Sequence, residues 1–130
     1  MHERLTIGTD EITLRAKSEA LLAAEVTIPA GGGPPAMHRH PSEELYRVEA
    51  GELAVYREHE RIVAGPGDVV HIAGGQAHTV RNESAVEARA YVIFSPGTEM
   101  ERFVRAVAAN PADVMALAAA NGIEFTGPLA

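Results

Sequence analysis

Cysteine is absent from the 130-residue chain. That excludes disulfides, a thiolate nucleophile and zinc–thiolate sites, and it fits a reducing compartment. Basic charge is scarce: 11 Lys and Arg stand against 18 Asp and Glu, a net charge of −7. The basic residues are scattered, with no run of them, so a nucleic-acid partner is excluded, because phosphate binding needs a basic surface. No apolar run approaches the ~20 residues that span a bilayer, so no membrane association is expected. The opening MHERLTIGTDE lacks an apolar stretch of the secretory kind, and the expected location is cytoplasmic. The Gly-rich run Pro29-Ala30-Gly31-Gly32-Gly33-Pro34-Pro35 lacks a Lys-Ser/Thr end and a following helix, which excludes a phosphate-binding loop.

What is present is one domain's worth of chain with 46% apolar residues. Short alternating segments dominate residues 5–95. Leu22, Ala24, Val26 and Ile28 share one face of a strand, since side chains alternate. Glu44 to Glu49 reads as a strand ended by Ala50-Gly51. Leu53 to Arg57 and Arg61 to Ala64 read as a hairpin around the polar tip Glu58-His59-Glu60. Gly65-Pro66-Gly67-Asp68 predicts a turn with Pro at its first central position and Gly at its second. Val69 to Ile72 and Ala77 to Asn82 follow. Val86, Ala88, Ala90, Val92 and Phe94 then alternate with polar and larger residues. About eight strands at this spacing predict a barrel or sandwich.

The pattern changes after Pro96-Gly97. Met100, Phe103, Val104 and Val107 recur at helical spacing. Asn110 as N-cap, Pro111 at the first helical position and Asp113 in the first turn predict a second helix, closed by Asn121-Gly122. The expected organisation is a β-barrel over 1–98 and a helical extension over 99–130 packed on it.

The chemistry concentrates in His38-Arg39-His40-Pro41-Ser42-Glu43-Glu44. On an extended backbone His38 and His40 point to the same side, with Cα atoms ~6.6 Å apart. Two imidazoles can converge on one ion from there. Continuing the alternation puts Glu44 on their face and Glu43 on the other. Pro41 can break the alternation, so Glu43 stays open as the alternative. Alone, a His-x-His pair is as well read as surface decoration.

Further residues give the pair a frame. Gly32, His38, His40, Glu44 and Gly51 stand at the spacing of the first motif of the cupin superfamily. Gly67, Gly75, His78 and Asn82 stand at the spacing of the second. The chain therefore resembles the small cupins over residues 32–51 and 67–82. It departs at Ala73, where that motif has a proline; this touches the loop's shape and no ligand. The resemblance implies a mainly β, jelly-roll (double-stranded β-helix) barrel with one or two short C-terminal helices. It implies His38, His40, Glu44 and His78 as ligands of one divalent transition metal ion. Three imidazoles and a carboxylate suit Fe, Mn, Ni, Co, Cu or Zn. An octahedral ion held this way keeps two positions open for substrate, water or dioxygen.

The resemblance to quercetin dioxygenase-like cupins implies a dioxygenase-type oxidoreductase in which Glu44 also acts as the base. The alternatives are a non-catalytic metal- or small-molecule-binding cupin, and a metal-dependent isomerase or cyclase. Arg47, Arg57 and Arg81 fall on the outward parity or at strand ends, so the expected small-molecule ligand is apolar or aromatic and not a small dianion. His2 and His59 are expected in solvent, and His71 packed or orienting a ligand. A homodimer is expected, with Leu5–Ile7 and Glu11–Ala16 as candidates for edge pairing.

Overall fold

The computed structural model describes residues 3–128. Eleven strands and two helices follow in the order β1(Glu3–Ile7), β2(Asp10–Lys17), β3(Leu22–Ile28), β4(Ala36–Arg39), β5(Glu43–Ala50), β6(Leu53–Arg57), β7(Glu60–Ala64), β8(Val69–Ile72), β9(His78–Arg81), β10(Ala88–Ser95), α1(Thr98–Ala109), α2(Val114–Ala120) and β11(Glu124–Pro128). One antiparallel sheet has the order β1-β2-β3-β10-β5-β8; the other has β11-β4-β9-β6-β7. The mainly β architecture with two helices is as the sequence implied.

The core is the sum of the inward parities. In β3, Leu22, Ala24, Val26 and Ile28 are buried and the residues between them are not. In β10 the same holds for Ala88, Ala90, Val92 and Phe94. The two strands pair directly, Ala90 opposite Val26 and Val92 opposite Ala24. Val48, Val55, Val80 and Ile72 close the core from β5, β6, β9 and β8. Each such side chain removed from water contributes roughly 1.5–3 kcal/mol before entropy is counted. Val86 departs from the alternation: it is 61% exposed. Its carbonyl accepts from Asn82 and Ser84, which bends residues 84–87 out of the strand.

Gly65–Asp68 forms the predicted turn. The Asp68 N–H donates to the Gly65 carbonyl at 2.9 Å, and Gly67 has φ of +89°. Helix α1 buries Met100, Val104 and Val107, with Glu99 and Glu101 in its first turn, where acidic groups oppose the helix dipole. Asn110 acts otherwise than expected. Its side chain caps nothing, and its backbone N–H closes α1 on the Ala106 carbonyl. Pro111–Asp113 is then a separate 3-10 turn before α2. The segment 99–130 is also more than a helical extension, because β11 joins a sheet by pairing with β4. His2 lies outside the described residues.

Candidate metal centre

The two sheets bring His38, His40 and His78 together, with Glu44 against His40 and His78. His38 lies on β4 and His40 just after it, in the second sheet; His78 opens β9 beside them, and His38 pairs with His78 across the strands. Glu44 comes from β5 in the first sheet. The chain turns at Pro41-Ser42. Glu44 thus faces the histidines across the sandwich, and does not share a strand with them. Glu44 is 2% exposed, His40 5% and His78 1%, while His38 is half-buried. Glu43 points outward and accepts from His71 Nε2 at 2.7 Å. This corrects the expectation for His71: it is neither packed nor orienting a ligand, but stands on the surface. His59 is exposed at the β6–β7 tip.

Each imidazole is fixed at Nδ1 by a neighbour two residues away. His38 Nδ1 donates to the Ala36 carbonyl at 3.2 Å, and His78 Nδ1 to the Gln76 carbonyl at 2.8 Å. His40 Nδ1 lies 3.0 Å from the Ser42 carbonyl and from Ser42 Oγ. A carbonyl oxygen only accepts, so Nδ1 of His38 and of His78 carries the proton and each neutral ring turns an Nε2 lone pair inward, whereas His40 Nε2 donates to the Glu44 carboxylate and its Nδ1 accepts from Ser42 Oγ. A backbone carbonyl that fixes the tautomer in this way is the usual support of a metal-ligating histidine. Glu44 Oε1 lies 2.9 Å from His40 Nε2 and 3.3 Å from His78 Nε2. The second contact is poorly aligned, and His78 Nε2 is left buried without a hydrogen-bond partner. Ligand nitrogens of the three histidines all lie within 4.8 Å of one another. Two bonds of ~2.1 Å span about 4 Å, so the cluster is near the size one ion requires.

Charge points the same way. Burial pushes the Glu44 carboxyl up, but contacts from His40 and His78 outweigh it and hold its pKa well below the carboxylate range. Burial, then repulsion from His78, lowers His38 to about 4. Burial also disfavours a charged His78, yet the Glu44 carboxylate overrides it and raises His78 above its ordinary value. Imidazole nitrogens gathered beside a buried carboxylate make a site that a cation would complete. The donor set fits a divalent ion, and two imidazole nitrogens beside a carboxylate oxygen already converge on its place.

Tyr46 follows Glu44 on the inner face of β5. Burial pushes its phenol well above the ordinary range, and the Glu44 charge adds to this, so it stays protonated. Val26, Val48, Val55, Val80 and Val92 are packed in the core, and the Phe94 ring stands edge-on to His40 at 6.0 Å. The three arginines turn away, as their parity implied. Arg47 pairs with Glu49, Arg57 with Glu60, and Arg81 donates to the Gly31 and Gly33 carbonyls. The Ala73 departure leaves the loop intact: Gln76 N–H donates to the Ala73 carbonyl, and Ala73 N–H to Gln76 Oε1. A proline could not make the second bond. A recess of about 200 Å³ reaches His40 from outside between Pro41, Gly75 and Gly122. Sequence reasoning missed Phe125, whose ring stands edge-on to His38 at 6.2 Å. No local pattern could have shown it, because the contact is made by a strand 85 residues away along the chain.

Comparison with known proteins bears on the fold. Residues 24–94, just over half of the chain, match the family model of the cupin domain. The dimethylsulfoniopropionate lyase DddQ of Ruegeria pomeroyi is 42% identical over 65 residues, covering 49% of this chain and 32% of that protein. The chain thus spans about a third of that relative's length. The crystal structure of DddQ superposes with a TM-score of 0.54 at 37% identity, over 60% of this chain and 39% of that one. An RmlC-like cupin from Shewanella frigidimarina gives a TM-score of 0.67 at 20% identity, over 74% of this chain and 85% of that one. At that identity the likeness shows the fold alone.

Proposed function

The chain belongs to the cupin family, and from there we propose that it is a small-molecule metalloenzyme whose reaction is proton transfer at a carbon next to a carboxyl or carbonyl group. One divalent ion on His38, His40, His78 and Glu44 would supply Lewis acidity toward that oxygen. The observation that carries the reading is the convergence of three imidazoles on one point, with the Glu44 carboxylate against two of them. Tyr46, on the same face of β5, stays a protonated phenol that can donate a hydrogen bond to a bound carboxyl or carbonyl oxygen, and Glu44 is a carboxylate that can take a proton once freed from its imidazole contacts. Arg47, Arg57 and Arg81 turn outward and supply no inward cation for a small dianion, which favours a substrate with an apolar or aromatic body. The lyase activity of DddQ, over the half of this chain that it resembles, supports a non-redox reaction.

The dioxygenase reading rests on the same ligands, since an ion with two open positions would also admit dioxygen. One experiment separates them. The protein, loaded in turn with each candidate ion, is incubated in D2O with small keto and carboxylic acids. Deuterium uptake is followed by NMR and dioxygen by electrode. Exchange or elimination without oxygen consumption is expected. Substrate-dependent oxygen uptake would move the assignment to the dioxygenase type, and silence in both would leave a binding cupin.

A further inference from the structure

We propose that the C-terminal strand β11 is a working part of the metal centre, holding the strand that carries His38 and, through Phe125, setting the His38 ring. The proposal rests on the metal reading above.

Strand β4 is short, Ala36–Arg39, and it delivers His38 and then His40. Its pairing with β9 consists of one pair, His38 opposite His78. Its pairing with β11 is longer: Glu124 with Arg39, Phe125 with His38, Gly127 with Met37 and Pro128 with Ala36. The register is set further by a two-pronged contact, Arg39 Nε at 3.2 Å and Nη2 at 3.0 Å from the Glu124 carboxylate. That pair is exposed and contributes little stability, but its fork geometry aligns the strands.

The His38 ring is the least constrained of the three. Its anchor to Ala36 is the longest, and only this ring is half-buried. Phe125 stands against it at 63° between planes. Phe125 is itself held by what precedes it. Ile123 is 6% exposed, its N–H donates to the Ala118 carbonyl, and Gly122 turns the chain out of α2 with φ of +76°. Gly122 and Glu124 also wall the recess that reaches His40. All of these residues lie beyond 24–94, the region matched by the family model. The domain core thus carries the ligands, and the strap outside it holds one of them in place.

The test uses the 130-residue chain and its Phe125→Ala and Phe125→Leu variants. Co(II) affinity is measured against a chromophoric chelator, and the visible d–d band reports the coordination. Phe125→Ala is expected to weaken Co(II) binding by about tenfold or more, the scale of outer support around metal ligands. It is expected to shift the band while far-UV circular dichroism is unchanged. Phe125→Leu should recover most of the affinity. Unchanged affinity and band in Phe125→Ala, with the unsubstituted chain binding one equivalent, would overturn the proposal. Absence of Co(II) binding by the unsubstituted chain would instead overturn the metal reading on which it stands.

Discussion

Glu44 is a carboxylate with almost no access to water, facing the imidazole nitrogens of His40 and His78. Glu44→Gln keeps the volume and removes the charge. Metal affinity is expected to fall at least 10–100-fold, read by competition titration. If the metal sits elsewhere, the affinity will not change. Asn82 plays a different part. It is 1% exposed; its amide donates to the Ile28 and Val86 carbonyls and its oxygen accepts from Ser84. Asn82→Leu removes the amide donor to the Ile28 carbonyl and leaves the Val86 carbonyl to Ser84 alone, so a loss of about 1–3 kcal/mol in urea unfolding is expected. The spacing of His38, His40, Glu44, His78 and Asn82 was legible in the sequence. The geometry behind it was not: alternation was read through Pro41-Ser42, where the chain in fact passes from one sheet to the other. His71 shows the limit of the same reasoning, because strand parity could not say that Glu43 would meet it on the outside.

Elements were legible where the hydrophobic period was complete. Strand β3, β10 from Ala88 onward, the β6–β7 hairpin and α1 follow their patterns, with Val86 and the half-buried Phe103 as the departures. Two elements were not. Strand β4 is four residues ending before a proline, and β11 contains Gly127 and Pro128, which are poor strand formers. Both exist because they pair with each other across most of the chain, a long-range fact with no local signature. Gly51 illustrates a turn that was marked clearly. It has φ of +74°, and a Cβ there would come within 2.6 Å of the Glu87 carbonyl oxygen. Gly51→Ala is therefore expected to cost about 2 kcal/mol or more, seen as an earlier unfolding midpoint. A neutral result would mean that the β5–β6 turn can move away from the start of β10.

At the scale of the molecule, the two sheets act as the jaws of one site, with Glu44 on one and the three histidines on the other. A metal that bridges them binds only the folded state, so removing it should loosen the whole sandwich. At a hundredfold excess of ion over its dissociation constant the linkage amounts to about 2.7 kcal/mol. A chelator should therefore lower the melting temperature of the metal-loaded protein and leave the His38→Ala, His78→Ala double variant untouched. Strand β1 ends the first sheet with an unpaired edge. We propose that a second copy covers it, and light scattering should then give a mass near twice 13.8 kDa.

The most direct measurement is elemental analysis of the purified protein beside the His38→Ala, His78→Ala double variant. About one equivalent of a divalent transition metal in the first and almost none in the second is expected. No metal in the first, even after anaerobic loading with each candidate ion, would contradict the account, because the converging nitrogens and the buried carboxylate would then serve something other than an ion.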